Sequence, residues 1–210
     1  MRAKEEILGR IRCALGDGPI PAEIPRAYRT GSLLPDDEVI ELLVDRLVDY
    51  KAGVLVLDAA QAPQAVAEIL HAARTVVYPQ GLDTQLLGAL PETVELIADG
   101  RQRQLSVAEL DQADAVITSS AVSIAESGTI ILDGSADQGR RAISLVPDHH
   151  LCVVPASTIV QLLPEAMERL TITRPLTWIS GPSATSDIEL ERVEGVHGPR
   201  TLDVLILRDA

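Results

Sequence analysis

Glu126, Asp187 and His197 are the residues whose chemistry and setting best suit proton transfer, and each stands in a stretch dense with small polar groups. The first stretch runs Thr118-Ser119-Ser120-Ala121-Val122-Ser123-Ile124-Ala125-Glu126-Ser127-Gly128-Thr129. An apolar run ends here in three hydroxyl residues, and a carboxylate follows before a Ser-Gly pair. A carboxylate so placed can serve as a general base or hold a substrate hydroxyl, with Ser119 and Ser120 as binding groups. The same stretch also reads as a polar turn whose hydroxyls satisfy turn amides.

Two later loops offer donors for an anion. Gly181-Pro182-Ser183-Ala184-Thr185-Ser186-Asp187-Ile188-Glu189 follows an apolar run; Gly181 permits close backbone approach, and Ser183 and Thr185 supply hydroxyls. Backbone amides in such loops can cradle a carboxylate or phosphate. Asp187 can bind a ligand hydroxyl or order its own loop. In Gly195-Val196-His197-Gly198-Pro199 a histidine lies between glycines, able to shuttle a proton near neutrality or to sit in a plain turn. Arg140-Arg141 places two cations side by side, for an anionic ligand or for the surface. No Gly-Lys-Ser/Thr phosphate loop, dinucleotide fingerprint or nucleophile elbow is present. His149-His150 lacks a third ligand at a recognisable spacing, so no metal site is assigned.

The elements that must carry these loops alternate. Ile7, Leu8, Ile11 and Leu15 predict a helix over 3–15, and the Pro- and Gly-rich segment that follows sets residues 1–35 apart as an arm. Residues 36–210 form the main domain. Asp36 and Asp37 open a helix with its buried stripe at Ile40, Leu43, Val44 and Leu47. The run 53–58 reads as a strand covered on both faces. Further strands are expected at 75–78, 94–98, 115–118, 129–132, 151–154, 176–179 and 202–207, with helices starting at Pro63 and at the Ser106/Glu109 capping box. A helical segment over 157–170 is split or restarted by Pro164. The class is α/β, three-layered, with a mainly parallel sheet; the strands of 115–155 lack long helices between them and imply a mixed sheet or an antiparallel excursion.

Composition narrows the function. The net charge of −13 and the absence of Phe exclude nucleic-acid binding, which needs clustered cations and stacking platforms. Two cysteines cannot hold a four-thiolate iron–sulfur cluster, so no redox cofactor is expected on this chain. No apolar run approaches the length of a membrane span, and no secretory leader is visible. A cytoplasmic protein is expected.

Four ordered motifs carry a resemblance to a known family. Ile124-Ala125-Glu126-Ser127-Gly128-Thr129-Ile130, Leu145-Val146-Pro147-Asp148-His149-His150, Gly181-Pro182-Ser183-x-Thr185-x-Asp187-Ile188-Glu189 and Gly195-Val196-His197-Gly198-Pro199 stand in the order seen in the LUD-domain family of bacterial lactate-utilisation proteins. The likeness covers about 113–208 well and thins towards the arm. It departs from the family at Ser127, where Thr is common.

The resemblance implies a fold similar to the ribose-5-phosphate isomerase, glucosamine-phosphate deaminase and CoA-transferase group. It also implies a role beside iron–sulfur partner proteins that oxidise L-lactate to pyruvate; the chain resembles the family component without cluster cysteines. Glu126 in a Glu-x-Gly context is similar to the nucleophilic glutamate of CoA transferases. Three readings therefore stand open: a ligand-binding subunit of the lactate system, a free-standing acyl-transferase-like or sugar-phosphate enzyme, and a carboxylate sensor. Each expects Ser119, Ser120, Glu126, Ser183, Asp187 and His197 around one cleft. An anion there would meet the amides near Gly181 and Gly198, the hydroxyls of Ser183 and Thr185, and His197 or Arg140.

Overall fold

Ala3–Leu15 forms α1 as its spacing predicts, yet none of its residues is buried, and Ile7, Ile11 and Leu15 all stand exposed. The computed structural model of the chain describes residues 3–16, 27–182, 184–186, 192–194 and 197–210. Much of the Pro-rich linker, at 17–26, lies outside the described residues. The segment that follows docks on the main body: the Ser32 hydroxyl and the amide of Leu33 both donate to Gln161 Oε1, at 2.9 Å each.

Helix α2 (Asp36–Asp49) begins behind Pro35 with three acids in its first turn, where they meet the positive end of the helix dipole. Its apolar stripe buries Val39, Ile40, Leu43 and Leu47. Leu43 and Leu47 are fully covered, and burial of such side chains contributes about 1.5–3 kcal/mol each. Strand β1 (Gly53–Leu57) follows, then α3 (Ala62–Ile69) with Pro63 in its first turn, and β2 (Thr75–Pro79) and β3 (Glu95–Asp99). The capping box at Ser106 and Glu109 opens α4 (Val107–Asp111) in both directions, as its spacing predicts. The chain continues through β4 (Ala115–Ser119), β5 (Val122–Ile124), β6 (Thr129–Leu132), β7 (His149–Pro155), β8 (Ile159–Val160), α5 (Leu163–Arg169) and β9 (Thr177–Ile179). A hairpin of β10 (Ala184–Ser186) and β11 (Arg192–Glu194) precedes β12 (Thr201–Leu207).

Six of these strands make one wholly parallel sheet in the order β1-β12-β7-β4-β2-β3. The chain leaves this sheet after β4 to build a second one, ordered β8-β5-β6-β9, in which β6 runs antiparallel to both β5 and β9. The antiparallel excursion expected over 115–155 is therefore a separate sheet. The α3 layer covers Ile117, Leu151, Val153 and Leu205 on one face of the parallel sheet. On the other face, α2 and Ile130 and Leu132 of the second sheet close over Cys152, Val154, Val204 and Ile206. Helix α5 packs on the far side of the second sheet, against Val122, Ile124 and Ile131.

Two expectations about single elements are corrected. Strand β1 is an edge strand with Leu55 46% exposed, so its continuous apolar run does not mean cover on both faces. The segment 157–170 is not one interrupted helix but a 3-10 turn (Ala156–Thr158), the short β8, and then α5, whose first turn holds Pro164. A proline there removes no needed hydrogen bond.

Candidate functional site

His150, the second residue of β7, is 1% exposed and has its Nε2 2.8 Å from the Thr118 hydroxyl on the neighbouring strand. Burial, reinforced by the adjacent His149, pushes its pKa down to about 4 and keeps the ring neutral at physiological pH. It lines a cavity of about 340 Å³ between β9 and the amino-terminal ends of β7 and β12. Arg141, Ser144, Ser180, Gly181, His197 and Gly198 share that wall. Of the residues singled out from the sequence, Gly181, His197 and Gly198 thus come together. Gly181 has φ +86° and lies against α2, where a Cβ would sit 2.6 Å from Tyr50 Cβ; this turn needs glycine on both counts.

Glu126 stands one step behind this cavity. Its turn joins β5 to β6, and a chain of hydroxyls runs from Ser127 to Thr129 (2.8 Å) and on to Ser180 (2.9 Å) at the cavity wall. The carboxylate itself is half exposed and takes a 2.6 Å ion pair from Arg29 of the arm. Ser119 and Ser120 lie at the carboxyl end of β4, level with Val153 and away from the His149 end of β7. The Ser119 amide donates to Asp137 O, and the Ser120 hydroxyl is buried without a partner. Glu126, Ser119 and Ser120 line neither this cavity nor the larger one outside the carboxyl ends of β2 and β3. Ser183 and Asp187 lie outside the described residues, and Thr185 is described only as backbone in β10.

Arg140 is committed elsewhere. Its Nε and a terminal nitrogen donate to the two carboxylate oxygens of Asp99 at 2.9 Å each, and the guanidinium also donates to Leu105 O. Asp99 is 3% exposed, so this clamp, and not an external anion, uses the Arg140 charge. Arg141 is the available partner of the pair: its guanidinium is exposed, lines both cavities and meets no acceptor among the described residues.

The larger cavity, about 1020 Å³, opens outside the carboxyl ends of β2 and β3. One wall is the loop Asp133-Gly134-Ser135-Ala136-Asp137-Gln138-Gly139, which sequence reasoning passed over although its Asp-Gly turn was visible. The loop holds itself: Asp133 accepts from the Ser135 amide (3.0 Å) and from Arg174 (2.7 Å), while its own amide donates to Gln138 Oε1 (2.7 Å). Burial works to raise the Asp133 pKa, but the hydrogen bonds from Ser135 and Arg174 outweigh it and hold the carboxyl below its ordinary range. Gly81 lets the loop approach β2: its amide donates to Ala136 O at 3.0 Å, and a Cβ there would meet Ala136 at 2.5 Å.

The two thiols differ in accessibility. Cys13 on α1 is exposed, whereas Cys152 is buried beside Thr118 and burial pushes its thiol up to about 12. An aromatic disulfide reagent is expected to label one thiol in the folded protein and the second only in denaturant. Rapid labelling of both without denaturant would contradict a buried β7.

Comparison with known proteins agrees with this architecture. Residues 40–207 match the family model of the LUD domain. Over 209 residues, 98% of this chain and 95% of the relative, the sequence is 48% identical to lactate utilization protein C of Deinococcus radiodurans. It is 27% identical over 223 residues to lactate utilization protein C of Bacillus velezensis, covering 97% of this chain and 92% of that protein. The solved structure of a DUF162 family protein from Deinococcus radiodurans, 42% identical, superposes with a TM-score of 0.71, covering 83% of this chain and 99% of that one.

Proposed function

The chain belongs to the LUD-domain family, and from that premise we propose that it is a ligand-binding component of bacterial L-lactate utilisation. It acts in the cytoplasm beside iron–sulfur partner proteins that carry the electrons as L-lactate becomes pyruvate. Near-full-length likeness to two proteins called lactate utilization protein C carries this reading. The chain's cysteines agree with a division of labour, since one thiol is buried and held protonated and the other sits on the exposed arm. Among the described residues no helix is long and apolar enough to cross a membrane.

The small cavity suits a three-carbon hydroxy acid. Arg141 offers an uncommitted guanidinium for the carboxylate, and the neutral His150 offers a hydrogen-bonding ring that carries no charge of its own. His197 stands at the exposed side of the same wall. The local donors decide affinity: hydrogen bonds to charged groups contribute about 1.5–3 kcal/mol each, while the protein's distant acids are screened beyond about 8 Å at physiological salt.

The test reconstitutes the chain with the proteins encoded beside it and follows lactate-dependent reduction of an artificial acceptor. Omitting this chain is expected to abolish the rate, and Arg141→Gln to weaken pyruvate binding by about tenfold in calorimetry. Full activity without the chain would end the proposal.

A further inference from the structure

The larger cavity, about 1020 Å³ against about 340 Å³ for the smaller, lies at the top of the range of about 300–1,000 Å³ that holds drug-sized ligands, and a three-carbon acid would leave most of it empty. Its charge is also at odds with the rest of the molecule. In a chain of net charge −13, four arginines (Arg101, Arg140, Arg141 and Arg174) line this one cavity. Asp99 neutralises Arg140 and Asp133 neutralises Arg174. Arg101 and Arg141 have no acceptor among the described residues, which leaves two uncompensated guanidinium groups. The amides of Gly134 and Ala136, in the loop that forms the wall, likewise lack an acceptor. Planar guanidinium groups together with open amides of a glycine-containing turn match the oxygens of a phosphate chain. The remaining wall mixes amide side chains with apolar surface, represented by Gln80, Gln104, Leu132 and Pro175, and it is suited to an uncharged organic body.

We propose that this cavity is a second binding compartment, for a small molecule that carries a diphosphate on an organic body, of the nucleoside diphosphate class. It adjoins the carboxylate cavity and shares Arg141, Ser144 and Thr177 with it. The site lies outside the carboxyl ends of parallel strands, where the open backbone groups of α/β sheets commonly meet ligands. Arg141 borders both compartments, but Arg101 lines the larger cavity and not the smaller, so a change at Arg101 tests this inference separately from the lactate reading.

The experiment is calorimetry on the full chain at low and physiological salt, with ADP, inorganic pyrophosphate, adenosine and citrate as probes. ADP is expected to bind below about 1 mM, more tightly than pyrophosphate or adenosine, and to weaken as salt rises. Arg101→Gln is expected to weaken ADP by about tenfold or more. Arg103→Gln removes an exposed arginine that pairs with Glu109 outside the cavity, and it should leave ADP binding unchanged. The proposal fails if neither ADP nor pyrophosphate binds at low salt. It fails equally if Arg101→Gln binds ADP like the wild type, or if citrate binds as well as ADP. None of these outcomes bears on whether the chain is needed for lactate oxidation.

Discussion

Asp99→Ala is expected to cost about 3 kcal/mol of folding stability, in line with other buried ion pairs broken from one side. The carboxylate is almost wholly enclosed, with the Arg140 guanidinium on both oxygens and the Leu105 amide donating to Oδ1 at 2.8 Å. Alanine would orphan that buried amide and leave the Arg140 charge with only the Leu105 carbonyl and partial solvent contact. For a chain of this length the loss corresponds to a melting-temperature drop of about 6–12 °C. Asp99→Asn keeps an acceptor for Leu105 and should fall between the two. In the double variant Asp99→Ala/Arg140→Ala the losses should not add, because each single change leaves the other group stranded.

The pair between Arg29 and Glu126 gives the contrast. Both side chains are about half exposed, and Glu126→Gln should change stability by less than about 1 kcal/mol. Urea denaturation of these variants at neutral pH decides the matter. A cost below 1 kcal/mol for Asp99→Ala would mean that the clamp is solvated in solution. The clamp ties the end of β3 to the loop that walls the larger cavity.

That clamp shows where sequence reasoning reaches its limit. The doublet Arg140-Arg141 was legible as two cations, but not which of them would turn inward. Arg140 caps the 3-10 turn Arg141–Ser144 in extended backbone and finds Asp99 across 41 positions of sequence, a contact that no local pattern encodes. Strands were legible because buried apolar runs of this length have few alternatives. Their partition into two sheets was not, since Thr129-Ile130-Ile131-Leu132 reads the same whichever sheet receives it. The short β5 and β8, of three and two residues, carry too little pattern to be seen in the sequence. The loops of Gly181 and Gly198 were legible as donors, and they meet in one cavity. His149-His150 carries no metal assignment in the sequence; alternation along the strand sends His149 to Asp203 at 2.6 Å and His150 to Thr118.

The neutrality of His150 has a measurable consequence in the pH dependence of folding. In the unfolded chain the ring titrates near 6.5, whereas burial holds it near 4 in the folded protein. Between these values the unfolded state binds more protons than the folded one, so stability rises with pH across the window. The contribution is complete above pH 6.5 and is lost progressively as pH falls towards 4, where the enclosed ring finally takes its proton. At 1.36 kcal/mol per pH unit the full effect is about 3 kcal/mol. Other groups titrate over the same range, so the informative quantity is the difference between the wild type and His150→Asn. Asparagine can keep a hydrogen bond to Thr118 and carries no titrating group. The variant is expected to begin less stable at pH 7 and to lose less than the wild type on acidification, so that the two urea midpoints converge near pH 4. Parallel curves for the two proteins would place the ring in contact with water and remove the neutral hydrogen-bonding wall from the small cavity. If the curves converge, the same titration should also appear in pyruvate binding only where unfolding begins, because above that point the wall of the cavity does not change its charge at His150.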